Sequence, residues 1–427
     1  MKRLETDIAV IGGSLGGVAA ALAALEGGAS VVLTEGSDWL GGQISRQGGA
    51  ALGEHAHTSP FGAARRYAAL REGIRAHYRE RCGVRRVPGG RALNPGDGWV
   101  SRLCFEPAVG ARVVAEMVQP YVDAGQLTVL YNCVPIGADV ADGSIREVRL
   151  EQNGEPLEVA APYFLDATDL GDLLPLVGAA YVTGAEAQRD TGEPSAPPEA
   201  RPLEQQSFTF SFACEYRPGE VHTVPKPELY ERFRDAGLYS FVLDTGTAKE
   251  KRFEMFGGEL PFWRYRRILS AELLGLPGDV ALINWEGNDY FGRPLVGVPP
   301  HEKALALQEA KAQALGFLYW LQTEAPRDDG GYGYPELKLR PDIVGTADGL
   351  SKAPYIRESR RLVAKALVRE GDIASSGQAG ARAAPFADSV GIGWYPMDLH
   401  RCAYNREAGC FTPTLPFQIP LGGLLPE

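Results

Sequence analysis

Hydrophobic and polar positions change their period along this chain, and the changes mark its elements. Asp7-Ile-Ala-Val-Ile11 is a short apolar run, which predicts a buried strand. A glycine-rich turn, Gly12-Gly-Ser-Leu-Gly-Gly17, follows it. Val18 to Leu25 is a block of strong helix formers ended by Gly27-Gly28, and Ser30-Val-Val-Leu-Thr34 returns to an apolar strand. The order strand, turn, helix, strand is a βαβ unit. Farther on, Tyr163-Phe-Leu165 predicts another buried strand, ending beside the small residues Ala167 and Thr168, where a ligand has room to approach. Gln206 to Ala213 alternates as a half-buried strand would, and Glu302 to Trp320 predicts a helix. The proline-rich stretch Glu193–Pro202 and the stretch Arg327–Tyr334 predict loops. Residues 385–427 are broken by prolines and show no amphipathic helix pattern.

The first turn carries the chemistry. Gly12 permits a tight exit from the strand, Gly13 and Gly16 keep the loop free of side chains, and Gly17 lets helix and strand pack closely. The helix start then offers unpaired amides and a partial positive charge to phosphates. Ser14 stands where a middle glycine is usual, and its hydroxyl adds a donor. Glu35 ends the second strand, where a carboxylate accepts from both ribose hydroxyls of an adenosine. The alternative is a packing turn with a surface glutamate; glycines, strand, helix, strand and acid in register favour a dinucleotide. Gly36 to Gln43 then brings a second glycine pair, Gly41-Gly42, close to the ribose acid. A nicotinamide-binding fold generally moves into a helix here, so the pattern favours FAD.

Composition narrows the class. The chain has 427 residues, 44% hydrophobic and 23% charged, as an ordinary globular protein of two domains would. A net charge of −11 argues against a general nucleic-acid surface. The uncharged stretch Ile8–Leu25 imitates a signal peptide or membrane span, but its glycines and the strand that follows argue for a cytoplasmic protein without a membrane anchor. The cysteines are scattered, without C-x-x-C; buried or idle thiols are the expectation and a Cys402–Cys410 bridge the alternative. The histidines have no metal-ligand spacing, so no metal site is expected. Arg65 to Arg91 is rich in arginine, read here as the solvated face of a helix near Ala63–Arg81 rather than as a site for an acidic substrate or partner.

Longer motifs carry a resemblance. Leu40–Gln43 (LGGQ), Leu93–Pro107 (LNPGDGWVSRLCFEP), Asp166–Leu176 (DATDLGDLLPL), Asn284–Tyr290 (NWEGNDY), Ala353–Leu362 (APYIRESRRL) and Phe386–His400 (FADSVGIGWYPMDLH) make the chain similar to the FAD-dependent oxidoreductases of the glutathione-reductase-like superfamily. The resemblance implies an α/β fold: a Rossmann-like FAD-binding domain of glutathione-reductase type with an inserted α+β substrate or cap domain. Residues 1–184 and 341–427 would hold the cofactor, and 185–340 the substrate. It implies FAD with Glu35 on the ribose, Gly36, Gly41, Gly42 and Gln43 along the pyrophosphate, Val134 at the adenine, and Ala167 and Thr168 near the cofactor. Asp169 and Asp172 are read either as part of that site or as helix caps. In the family the segment Ile419–Pro426 leads into a further strand and a flavin-facing helix. The expectation is therefore a small second polypeptide supplying that segment in a hetero-oligomer; the alternatives are a chain that is a fragment and a degenerate protein that binds flavin poorly.

Flavin chemistry also needs a proton acceptor and donors that hold a small-molecule substrate. His55, just after the second glycine pair, is the first candidate, with His57 able to take its place or to attach the flavin. Arg102, Tyr355, Arg357 and His400 are further candidates; Arg357 and Glu358 could instead pair with each other between domains. The expected function is FAD-dependent dehydrogenation or oxidation of a small organic molecule. The alternatives are a flavin-dependent monooxygenase and a non-catalytic scaffold subunit.

Overall fold

The computed structural model describes residues 2–55, 57–84, 87, 91–243, 251–376, 380–402 and 410–427. The chain enters through β1 (Lys2–Glu5) and β2 (Ile8–Ile11), then α1 (Leu15–Glu26) and β3 (Val31–Glu35). Two helices follow, α2 (Arg65–Cys82) and α3 (Pro107–Asp123), and lead to β4 (Leu127–Tyr131). An antiparallel run, β5 (Cys133–Ala141), β6 (Ser144–Gln152) and β7 (Glu155–Ala160), precedes β8 (Tyr163–Asp166).

The central sheet has the order β4-β3-β2-β8, all parallel. Its middle strands β2 and β3 are almost wholly buried, which is why they read as unbroken apolar runs. Helix α1 covers this sheet and buries Val18, Leu22 and Leu25 against it, each worth about 1.5–3 kcal/mol. A second sheet, β1-β7-β6-β5, places Val134 of β5 beside Gly36.

The rear half builds an antiparallel sheet from β9 (Phe212–Tyr216), β10 (Arg267–Leu269), β11 (Val280–Ile283) and, after the long helix α4 (Pro300–Thr323), β12 (Leu337–Leu339). Its order is β10-β11-β9-β12. Ala306, Ala310 and Ala314 of α4 are buried in an aromatic-rich core that includes Phe317, Trp320, Tyr230 and Trp285. No helix among the described residues is long and apolar enough to cross a membrane.

Three sequence expectations change. The alternating run from Gln206 to Ala213 has no solvated face: Ser207, Thr209 and Ser211 are as buried as their aromatic neighbours. Buried hydroxyls need partners. Thr209 and Ser207 donate to Asp289, and Asn284 donates to Ser211 at 3.2 Å. Helix α2 is not simply a solvated basic face either. Arg71 turns inward onto Glu54 and Arg75 onto the Leu93 carbonyl, whereas Arg66 and Arg79 pair with Glu26 and Glu72 at the surface. Separately, Cys402 Sγ donates to Glu204 at 3.1 Å, and the side chain of Cys410, the other half of the bridge considered above, lies outside the described residues. Finally, Asp169 and Asp172 make no helix-cap bonds; they pair with Arg46 and Arg360, and Asp166 instead accepts from the Leu173 amide.

Candidate functional site

The turn between β2 and α1 lies where the ends of three strands meet. Gly12 takes φ +110°, and a Cβ there would sit 2.3 Å from the Ala167 carbonyl oxygen. A Cβ on Gly13 would meet Glu35 Oε2 at 2.6 Å, and one on Gly17 would meet the Gly12 carbonyl oxygen at 2.1 Å. These glycines therefore let β3 and the end of β8 close on the turn. The second pair joins them: the Gly41 amide donates to Gly13 at 2.8 Å, and Gly41 bridges to Ser14. Gly42 packs on Ser14, and Gly16 faces open space. Ser14 is the N-cap of α1, its hydroxyl oxygen accepting from the Gly17 amide at 3.2 Å. That bond occupies one helix-start donor, so serine here shapes the turn as well as adding a donor.

Glu35 is fully buried. Its Oε1 accepts from the Ser37 amide and hydroxyl, both at 2.8 Å, and faces Arg46 Nε at 3.0 Å. Oε2, against Gly13, has no hydrogen-bond partner among the described residues. Burial pushes the Glu35 carboxyl up, against the opposing pull of Arg46 and the Ser37 donors. A buried carboxylate oxygen with an empty acceptor position beside a side-chain-free turn is what a ribose hydroxyl would fill, so the residues present fit an adenosine dinucleotide. Arg46 also pairs with Asp169 and so spans the crevice between β3 and the end of β8.

The segment that carries Gln43 and Arg46 is stitched to a distant part of the chain. Gln43 Nε2 donates to the Ile356 carbonyl at 2.9 Å, Gln47 Oε1 accepts from the Ile356 amide at 3.1 Å, and the Ala353 amide donates to the Arg46 carbonyl at 3.0 Å. Gly49 leaves room for the Tyr355 ring, which a Cβ would meet at 2.7 Å. Tyr355 in turn lies under the Arg357 guanidinium, 5.3 Å from its ring centre.

Arg357 opens onto a buried polar cluster. It reaches Asp289 at 3.0 Å and donates to Thr209 Oγ1 at 2.8 Å and the Ser207 carbonyl at 3.0 Å. His400 Nδ1 lies 2.9 Å from the other oxygen of Asp289, and Nε2 lies 3.8 Å from Asp398. Burial opposes the Asp289 charge, but Arg357, His400 and Thr209 outweigh it and hold the carboxyl well below the usual range. Burial and Arg357 oppose a charge on His400, yet its hydrogen bond to Asp289 and the nearby Asp398 carboxylate raise its pKa. Glu358 does not pair with Arg357; it takes Arg361 at 2.8 Å and the Gln206 amide at 3.2 Å.

The pH dependence of this pairing follows from the signs. The raised His400 pKa contributes stability that is full below its ordinary value of 6.5 and lost as pH rises through the folded value. The depressed Asp289 pKa contributes stability present above the ordinary 3.8 and lost as pH falls through the folded value. The urea midpoint is expected to fall as pH rises above about 6.5, and His400→Gln to flatten that fall. An unchanged slope in the variant would assign the dependence elsewhere.

Of the candidates read from sequence, Tyr355, Arg357 and His400 come together. His55 and His57 sit apart on Trp394, at 4.8 and 5.7 Å between ring centres, and the His57 amide donates to His55 Nδ1. Arg102 is exposed and joins none of these groups by a hydrogen bond or ion pair. Asp289, Arg46 and Thr209 were missed. Asp289 had a signal, a carboxylate inside an otherwise buried run; Arg46 looked like one more polar residue in a loop.

A model of the family described as FAD dependent oxidoreductase matches residues 7–427. The chain belongs to that family. Membership makes FAD its cofactor and oxidoreduction its class of chemistry. In this FAD dependent oxidoreductase the glycine turn, Glu35 and the Gly41–Gln43 segment are thus the residues that fit the cofactor. A search of curated proteins found no match. Solved structures with partial likeness include L-proline dehydrogenase from P. horikoshii, at 18% identity and TM-score 0.22 over 44% of this chain and 26% of that one. A 3-ketosteroid dehydrogenase from Rhodococcus jostii matches at 17% and 0.25 over 40% and 48%. The myxobacterial halogenase CndH matches at 17% and 0.27 over 52% and 45%. The chain spans less than half the length of each, and TM-scores this low do not establish a shared architecture.

Proposed function

We propose that the chain uses FAD held across the β2–α1 turn to oxidise a small organic molecule beside Asp289, His400 and Arg357. Bound FAD supplies the two-electron acceptor. The chain's own residues do the rest. Gly12, Gly13, Ser14, Gly16 and Gly17 with Gly41, Gly42 and Gln43 line the diphosphate path, Glu35 and Gly36 the ribose, Val134 the adenine edge, and Ala167 and Thr168 the strand end beneath it. Asp289 keeps a proton on His400 Nδ1, which leaves Nε2 to take or return the substrate proton. Arg357 and Tyr355 orient a polar group of the substrate. In this arrangement, of glutathione-reductase type, residues 1–184 and 341–427 hold the cofactor and 185–340 cover the substrate.

The observation that carries this reading is the stitching of Gln43–Gly49 to Ala353–Arg357. It joins the crevice that fits the cofactor to the cluster that can move a proton. The test is FAD titration of the purified chain, followed by anaerobic bleaching of the bound flavin with candidate alcohols, amines and acids. Uptake and bleaching are expected; a folded chain that takes up no FAD overturns the proposal. Glu35→Gln is expected to weaken FAD binding by about 10- to 100-fold, because a hydrogen bond to a charged acceptor contributes about 1.5–3 kcal/mol. Equal affinity in the variant would remove Glu35 from the ribose.

A further inference from the structure

The run Arg264-Tyr-Arg-Arg267 sends its arginines to two different places. Arg264 pairs with Asp97 at 2.7 Å, and Arg267 pairs with Asp279 at 2.7 Å and Asp97 at 3.3 Å. Arg266 points elsewhere and has no carboxylate partner among the described residues. Its Nε is closed off from solvent without a hydrogen bond, a terminal nitrogen makes a long contact of 3.4 Å to the Gly49 carbonyl, and the Tyr265 side chain is a further polar neighbour. The guanidinium lies 5.2 Å from the Tyr265 ring centre. Tyr355 is its electrostatic neighbour, and Tyr395 senses Arg266, Tyr265 and Tyr355 together. The backbone at Arg266 is fixed, its carbonyl accepting from the Leu282 amide at 2.9 Å.

An arginine cannot shed its proton, so withdrawing it from water without a counter-charge is costly. Three arginines near the site are paired with carboxylates, Arg46 with Glu35 and Asp169, Arg357 with Asp289 and Arg71 with Glu54, and buried Arg75 has a firm bond of 2.9 Å to the Leu93 carbonyl. Arg266 keeps its charge unmatched at Gly49, the residue that also abuts Tyr355. It therefore stands on the substrate side of the stitched segment. A planar guanidinium beside the Tyr265 ring, and against Gly49, which abuts the Tyr355 ring, matches a carboxylate, whose two oxygens can accept from the fork and from tyrosine together.

We propose that Arg266 binds the carboxylate of the substrate, with Tyr355 and Tyr395 as neighbouring donors, which makes the substrate a small carboxylic acid. This inference rests on the substrate site proposed above and adds its chemical class. The competing ligand is the negative edge of a reduced flavin, which the test separates.

The experiment measures binding of propionate, benzoate and succinate to the chain, with and without FAD, by calorimetry and thermal shift, with inorganic phosphate as the comparison anion. Saturable carboxylate binding that raises the melting temperature is expected, weakened at least tenfold in Arg266→Gln and partly restored in Arg266→Lys. Arg266→Met is expected to match or exceed the unliganded melting temperature of the parent, because it removes an uncompensated charge; a purely structural arginine would give a large drop, which would overturn the proposal. Carboxylates that do not bind, bind equally to Arg266→Gln, or bind no better than phosphate also overturn it. So does a variant that loses only the affinity for reduced FAD, since that assigns Arg266 to the flavin. FAD uptake without carboxylate binding sinks this inference alone; failure to take up FAD sinks the function proposed above, and carboxylate binding then stands or falls by itself.

Discussion

Asp289→Ala is expected to lower the stability of the chain by about 3–5 kcal/mol, the usual cost of leaving one member of a buried ion pair unmatched. Asp289 is buried and receives Arg357 at 3.0 Å, His400 at 2.9 Å, and the hydroxyls of Ser207 and Thr209. Removing its carboxylate strands the Arg357 guanidinium, which cannot neutralise itself, and leaves two hydroxyls without an acceptor. The loss comes from those stranded groups more than from the missing attraction. A double variant, Asp289→Leu with Arg357→Met, should therefore recover much of the loss, since apolar replacements remove both charges at once. Urea unfolding of the parent, the single and the double variant checks this. A single variant within about 1 kcal/mol of the parent would show that the cluster is solvated rather than buried.

The second large effect is at Gly17. A methyl group there would lie 2.1 Å from the Gly12 carbonyl oxygen and 3.0 Å from the Ala167 Cβ. Neither can yield without opening the turn, because the Ala167 amide is tied to Ile11 and the Gly12 amide to Thr34. Gly17→Ala should cost about 1–3 kcal/mol in overpacking. It should also displace the amides that we propose face the diphosphate; two charge-assisted bonds lost at about 1.5 kcal/mol each correspond to roughly 100-fold weaker FAD binding. Gly16 supplies the contrast. A Cβ there has only Ser14 Oγ near, at 3.8 Å, and Gly16 is exposed within α1. Gly16→Ala should raise stability by about 0.5–1 kcal/mol through helix propensity. Thermal melts and FAD titration of both variants are the check. Equal behaviour of the two would mean that the turn is looser than the close approach of Gly12 and Gly17 implies.

Much of the front of the chain was legible without coordinates. The β2–α1–β3 unit, the strand ending at Ala167, the helix after Pro300 and the coming together of both glycine pairs follow from local pattern. Local pattern suffices there because a βαβ unit is built from neighbours in sequence, and Gly13 and Gly17 answer first to Glu35 and Gly12 nearby, although Gly12 answers to Ala167 on a distant strand end. The alternating run at Phe208 misled for the opposite reason. Period two reports which residues are polar, and water is only one way to satisfy them; here Asp289 and Asn284 do it from another strand. The same holds for α2, where Arg71 and Arg75 look solvated until Glu54 and the Leu93 carbonyl come into reach.

The amino-acid sequence by itself determined the glycine turn, the acid beside it and the family, because these depend on local geometry and motifs that only certain residues permit. The partners of charge were decided by tertiary structure alone. Which carboxylate meets Arg357, that Arg46 spans Glu35 and Asp169, and that Arg266 meets none among the described residues are consequences of separate chain segments being folded together, 68 positions apart for Arg357 and Asp289 and 123 for Arg46 and Asp169. Coulomb attraction acts through space and is strong only where water has been excluded, and neither distance nor burial is written in the order of residues.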